Sequence, residues 1–478
     1  MTKIKKISLM PAKCAVDLSD GSERGLYVDQ DYILRKLGRP HRAVNIMYCY
    51  YPNDEAWPKR AQDAYKDMEV GFAWDYPYDN YFPYLGGING NTEGEPFTCM
   101  KDIRRHGQDV ILTLTCDPKV TDEHIIGIAK DLRPFGRMML RLNHECTGNW
   151  FSFNKRASYQ EIADFYVRFA KIVKKYAPNV TMILCAGAAA DKKSEKIEME
   201  EEFLEAFKTT DIWSIDKYIA LNWGWPYEVA EKTNKQHMRN SSDAVYACAK
   251  KTFDRLVKLT GERKPMVMSE LNADGDVTGP YAQANIMRHF ANVVKNDKEK
   301  WFSAFCFYQF RDDGRLGLEI TDPNNANVGV EQPIMAAYKD IINDDFFKPG
   351  IKDGKSAKLP LTLRWGGSED AEGVSVELDF DADPVFAEAN FNSSLEEANL
   401  MMELNGMWFY KAPGVKFVDF MPAFFNKRLK GPKKLKLNIF APPATGENDP
   451  KQGKGWDTDY YYELKELPDI RIRYEKIC

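Results

Sequence analysis

The 478-residue sequence predicts an α/β fold: a (β/α)8 TIM barrel over residues 1–348, followed by an antiparallel β-sandwich over residues 355–478. Three observations lead there. Short apolar runs alternate with helix-period stretches eight times in about the first 345 residues, the pattern of parallel strands joined by covering helices. No phosphate-binding glycine loop follows an early strand, which argues against an open doubly wound sheet. Beyond Lys348-Pro-Gly-Ile-Lys-Asp-Gly354 the apolar period drops to two, with Val374, Val376, Leu378 and Phe380 alternating with polar residues, as do Leu435, Leu437 and Ile439.

After a leader, the first strand is read at 43–51, with a helix over 54–66. A second strand at 69–74 runs into 75–91, a stretch rich in Tyr, Pro, Gly and Asn and too long for an ordinary connection, which is read as a loop shaping a binding cleft. Helices at 100–105 and 121–132 precede strands three (109–115) and four (from 138). Ser158-Tyr-Gln-Glu161 is a capping box, and Ile162, Phe165, Phe169, Ile172 and Val173 form the apolar stripe of the helix it opens. Strand five follows at 181–185, and the acidic stretch 195–205 reads as a helix with a solvated face. Strand six, 212–218, sets Ser214, Asp216 and Tyr218 on one side. Helix 243–259, strand seven at 265–270, helix 281–294, strand eight at 302–310 and a helix from Pro333 to near Asn343 complete the barrel. Runs 399–404 and 469–474 add strands to the C-terminal domain, where Trp365, Trp408 and Trp456 share no obvious strand face. That domain is therefore expected to be a structural sandwich rather than a carbohydrate-binding module.

A net charge of -5 argues against nucleic acid as a partner, and the basic run 426–436 reads as a solvated strand and turn. Nine cysteines, an odd number of which most lie singly in apolar contexts, read as reduced buried thiols. With no Cys-x-x-Cys and six scattered histidines, no metal and no cofactor are expected. No apolar span reaches the ~18 residues of a membrane helix, and no export signal is recognisable. The chain as written reads as cytoplasmic, or as secreted if it is a processed mature form. The oligomeric state is left open.

The chemistry gathers where two apolar strands run out at carboxylates. Alternation along strand four puts Arg141, Asn143 and Glu145 on one face, with the aromatic pair Trp150 and Phe151 just beyond, suited to a sugar ring or another flat ligand. Pro265-Met-Val-Met-Ser-Glu270 ends strand seven the same way. In a closed barrel these ends face each other across the mouth. Two carboxyl groups about 5 to 5.5 Å apart suit a retaining glycosidase, one attacking the anomeric carbon while the other protonates the leaving oxygen.

This arrangement resembles clan A of the glycoside hydrolases. Arg141-x-x-His144-Glu145-x-x-Gly148-x-Trp150-Phe151 and Asp211-Ile-Trp-Ser-Ile-Asp-Lys-Tyr218 resemble the fourth and sixth strands of family 26, the β-mannanase family. Strands five (Leu184-Cys-Ala-Gly-Ala-Ala189) and eight (Tyr308-Gln-Phe-Arg-Asp-Asp-Gly-Arg315) depart from that family's pattern. The resemblance implies a β-mannan-like or other β-linked glycan as substrate, Glu145 as acid/base, Glu270 as nucleophile, and a tyrosine, Tyr218, touching the nucleophile.

Glu270 has to stay ionised, a state that Arg141 and the Tyr218 hydroxyl favour. Glu145 has to hold a proton at rest, which the neighbouring anion favours. Asn143 is expected to bond a sugar hydroxyl, and His144 either packs on the strand or contacts the sugar or the acid. Trp150, Trp223, Trp225 and Tyr308 are the candidate stacking platforms. Two other functions stay open: a catalytically silent barrel that binds carbohydrate, and a barrel enzyme of unrelated metal-dependent chemistry.

Overall fold

The computed structural model describes residues 2–20, 28–54, 82–148, 151–189, 196–219, 241–273, 279–312, 316–354, 356, 358–365, 373–380, 384–426, 433–442 and 460–473. The chain divides into two compact units, residues 13–348 and residues 1–12 with 349–477.

The first unit is a closed barrel of eight parallel strands: β1 (Ala15–Ser19), β2 (Ala43–Tyr50), β3 (Asp109–Cys116), β4 (Met138–Leu142), β5 (Val180–Cys185), β6 (Ile212–Asp216), β7 (Met266–Leu271) and β8 (Phe302–Tyr308). β1 closes the ring by pairing with β8 (Ala304 opposite Ala15) and with β2 (Leu18 opposite Val44). Each strand is followed by a helix, from Gln30–Leu37 to Ile334–Asn343. The signals expected at the helix ends do their work: Ser158 and Glu161 form the reciprocal capping box, and Pro280 opens its helix.

The strand count of eight is reached by a different route from the one the periodicity suggests. β1 lies in what reads as a leader, because five residues with Asp17 in the middle do not look like a buried strand. Asp17 is tolerated there because Arg42 donates to it through Nε at 2.8 Å and also through Nη2. The stretches 55–66, 69–74 and 75–81 lie outside the described residues, and β2 pairs directly with β3 over its whole length. The numbering of strands four to eight is unchanged, so the two carboxylates still belong to the fourth and seventh. The acidic stretch also differs: its described part forms turns before a helix at Leu204–Thr209, since Glu200 accepts from Ile197 N at 3.0 Å and pairs with Arg255 at 2.6 Å.

The second unit packs a six-stranded and a three-stranded sheet around one apolar core. The alternating runs pair as their period demands, Val374, Val376 and Leu378 opposite Ile439, Leu437 and Leu435. One strand comes from the far end of the chain: Thr2–Met10 lies parallel to Val374–Phe380 and antiparallel to Gly350–Asp353. Residues 1–12 therefore belong with this unit, where the sequence reading had carried the barrel back to residue 1.

Candidate active site

Arg141 is the centre of the barrel's polar interior. Its side chain has no solvent exposure, and its three nitrogens point to three neighbours. Nη2 donates to Glu270 Oε1 at 2.5 Å, Nη1 to both Asp216 oxygens at 3.3 Å, and Nε to Thr113 Oγ1 at 2.9 Å. The chain continues round the barrel: Thr113 donates to Asn45 Oδ1 at 2.7 Å, and Asn45 Nδ2 donates to Ser19 Oγ at 3.1 Å. Burial opposes the guanidinium charge, but the Asp216 and Glu270 carboxylates outweigh it and hold Arg141 protonated.

Glu270 and Asp216 meet because of a β-bulge. The β6–β7 register runs Ile215 opposite Met268, then Asp216 opposite Glu270, so β7 carries one extra residue, Ser269. A bulge of this kind turns a side chain that strict alternation would send to the far face. Past the bulge the backbone ladder resumes, with Lys217 N donating to Glu270 O at 3.1 Å and Ile219 N to Asn272 O at 2.8 Å. That register brings the Tyr218 hydroxyl to Glu270 Oε2 at 2.8 Å. Burial, and next the Glu270 charge, push the Tyr218 phenol well above its ordinary range, so it remains the donor in this bond.

Glu145 sits just past β4 in a loop pinned on both sides. Asn143 N donates to Leu114 O of β3 at 3.0 Å, and Cys146 N donates to Cys185 O of β5 at 3.1 Å. Asn143 and Glu145 have φ of 45° and 52°, the left-handed region. Strand alternation therefore stops at Leu142, and the shared face expected for Asn143 and Glu145 does not form. The Asn143 amide is instead spent on the backbone of Cys116, accepting from its N at 2.6 Å and donating to its O at 3.0 Å. Asn tolerates that φ readily, whereas Glu does so at a cost of about 1–3 kcal/mol.

The remaining predicted residues divide. His144 is buried against Phe151, ring centroids 4.5 Å apart, and burial followed by the Arg141 charge keeps its imidazole neutral. Phe151 is itself only 3% exposed and stacks on Phe153, so its face is not offered to a ligand. Tyr308 is half-buried and meets Tyr218 edge-on at 6.0 Å. Trp150, Trp223 and Trp225 lie outside the described residues.

One participant went unread as a site residue. Asp216 has a side chain 1% exposed, and burial raises its pKa to about 7 despite Arg141 beside it. Its signal was present in the sequence, a third strand ending at a carboxylate. Oxygens of Glu145, Asp216 and Glu270 come within 4.8 Å of one another. Three oxygens that close are able to hold a divalent cation, but Arg141 already places a cation against two of them. The arrangement is a pair of carboxyl groups, Glu270 and Asp216, sharing Arg141 and facing a third carboxyl group on the pinned loop.

No family model matches the sequence, and no curated protein matches it. Among solved structures, the chain is similar to a family 51 α-L-arabinofuranosidase from Bifidobacterium longum, at 10% identity, 92% of this chain, 100% of that one and a TM-score of 0.45. It is also similar to a family 26 β-mannanase from Bacteroides ovatus, at 10% identity, 70% and 89% coverage and a TM-score of 0.40. A family 39 glycoside hydrolase from Bacteroides cellulosilyticus matches at 10% identity, 90% and 81% coverage and 0.39. At these identities the chemistry of the site rests on its own geometry.

Proposed function

We propose that the barrel is a retaining β-glycoside hydrolase in which Glu270 is the nucleophile and Glu145 the acid/base. The observation that carries this reading is the approach of the Glu145 and Glu270 oxygens to within 4.8 Å at the ends of β4 and β7. That closeness suits direct attack at the anomeric carbon, as in a retaining enzyme, rather than the separation of about 6.5–9.5 Å between carboxyl groups of an inverting one. Glu270 attacks as the glycosidic C–O bond breaks and the leaving oxygen takes the Glu145 proton. Glu145, now a base, then takes a proton from water, which displaces Glu270 from the anomeric carbon. Arg141 and Tyr218, both donating to Glu270, hold its carboxyl group in one orientation.

The finer reading is that the substrate is a β-linked glycan of manno configuration. Its support is the His144-Glu145 and Asp216-Lys-Tyr218 motifs, and a panel of defined β-linked oligosaccharides tests it. Cleavage of gluco-, xylo- or galacto-configured substrates with manno-configured ones untouched would sink it.

The mechanism is tested on an activated aryl glycoside with external azide. Glu270→Ala should yield a glycosyl azide of inverted configuration, and Glu145→Ala one of retained configuration. Wild-type hydrolysis followed by proton NMR should release the β-anomer first. An α-anomer first, or near-normal activity in both alanine variants, removes the assignment.

A further inference from the structure

We infer that the outer face of the six-stranded sheet in the second unit is a carbohydrate-binding surface, with Trp408 and Tyr410 as its stacking platform. This inference takes only its ligand class, a β-linked glycan, from the reading of the barrel.

The strand Met407–Lys411 forms one edge of that sheet, and its alternation is plain in exposure. Phe409 turns inward to meet Phe420 edge-on at 5.2 Å, and Lys411 is fully buried. Trp408 and Tyr410 turn outward and are 48% and 55% exposed. Two residues apart on one strand, their rings are spaced by about 6.6 Å along the edge. The ladder extends this face inward in two rows. Trp408 lies opposite Glu403, and Glu403 opposite Asn438; Tyr410 lies opposite Met401, and Met401 opposite Phe440. The Phe440 ring backs Trp408 at 5.7 Å.

The polar side chains beside the rings are held in place. Glu403 accepts from Gly406 N and from Asn438 Nδ2, both at 2.7 Å, through different oxygens. Each carboxylate oxygen keeps a further lone pair for an incoming donor. The Tyr410 hydroxyl donates to Asn399 Oδ1 at 2.9 Å. Exposed large aromatics are costly to leave in water and mark a surface that takes a ligand. Here the apolar Met401 and Phe440 lie in one row and the fixed Glu403 carboxylate in the other. That combination suits a pyranose ring, whose C–H face stacks on an aromatic face while its hydroxyls donate to the Glu403 oxygens. Of the three tryptophans considered from sequence, the platform uses Trp408, together with a tyrosine two residues on and side chains from neighbouring strands.

The test is affinity electrophoresis of the full chain carrying Glu270→Gln, so that polymer is not consumed, in gels cast with soluble β-1,4-mannan, mixed-linkage β-glucan or xylan. At least one polysaccharide should retard the protein. Trp408→Ala and Tyr410→Ala should each weaken that retardation about 10-fold, and Trp408→Phe should keep most of it. In the wild-type background, Trp408→Ala should leave hydrolysis of short oligosaccharides unchanged. The inference is overturned if no polymer retards the protein, if both alanine variants run as the parent does, or if Trp408→Ala instead dissociates a dimer in sedimentation. A chain that binds polymer through Trp408 but hydrolyses no glycoside would remove the barrel assignment and leave this surface standing.

Discussion

The barrel buries charge at both of its ends, and the two ends are built to opposite rules. At the base, Asp17 pairs with Arg42, and Asp109 pairs with Arg137 at 2.5 Å and Arg104 at 2.7 Å, so cations outnumber carboxylates. At the mouth a single Arg141 serves Asp216 and Glu270, with Glu145 close by. A buried carboxylate with at least one cation of its own is costly to strand yet chemically inert, because its charge is satisfied. A site with more carboxylates than cations is different. Three carboxyl groups gather there around one guanidinium, an unequal arrangement of the kind that the proposed double displacement draws on.

The contrast is sharpest when one member of each end is removed. Glu270→Ala should lower turnover of a natural glycan by about 10⁴-fold or more while leaving thermal stability equal to or above wild type, because it relieves crowding among carboxylates. Arg42→Ala should do the reverse, costing about 3–5 kcal/mol of stability by stranding Asp17, with turnover of the folded fraction unchanged. Denaturant unfolding and steady-state kinetics on the two variants measure both quantities. If Arg42→Ala abolished turnover in a folded protein, the division of labour would be wrong.

A smaller effect is expected at Tyr218→Phe, which deletes one hydrogen bond to the Glu270 carboxylate and should cost about 10- to 100-fold in kcat/KM. Smaller again is the pH signature of Asp216. Its folded pKa is raised from 3.8 to about 7, so between those values the folded state holds a proton that the unfolded chain has lost. Stability from this group is thus present at low pH, declines as pH rises through that window and levels off above it. Asp216→Asn removes the decline: the melting temperature of the variant relative to wild type should rise from pH 4 to 7 and then stay flat. Parallel curves for the two proteins would contradict the raised pKa. Finally, dialysis against a chelator should leave hydrolysis unchanged, since Arg141 is the cation of the site. Loss of activity restored by a divalent metal would favour the metal-dependent alternative.

Much of the barrel was legible because its strands and helices are written in local periodicity. Ser158 and Glu161 announce a helix start within four residues, and the Val374 and Leu437 runs announce a half-buried sheet in their own alternation. β1 was not legible, since Asp17 looks exposed until Arg42 is beside it. Asn143 was misread for a related reason: period-two reasoning holds only while the backbone stays extended, and at φ 45° it does not.

Sequence alone was enough to nominate Glu145 and Glu270 as carboxylates that approach each other, because a carboxylate ending an apolar run is a one-dimensional pattern, and strand order says which ends meet across a barrel mouth. Only the folded chain could bring Asp216 opposite Glu270, since that depends on a bulge at Ser269 whose position is set by pairing between two strands. The same holds for the Trp408 face, assembled from three strands, and for the strand Thr2–Met10, which joins a sheet whose other members lie beyond residue 349. Contacts between residues far apart in the chain leave no local periodicity to read, because they are chosen by which surfaces can be buried together.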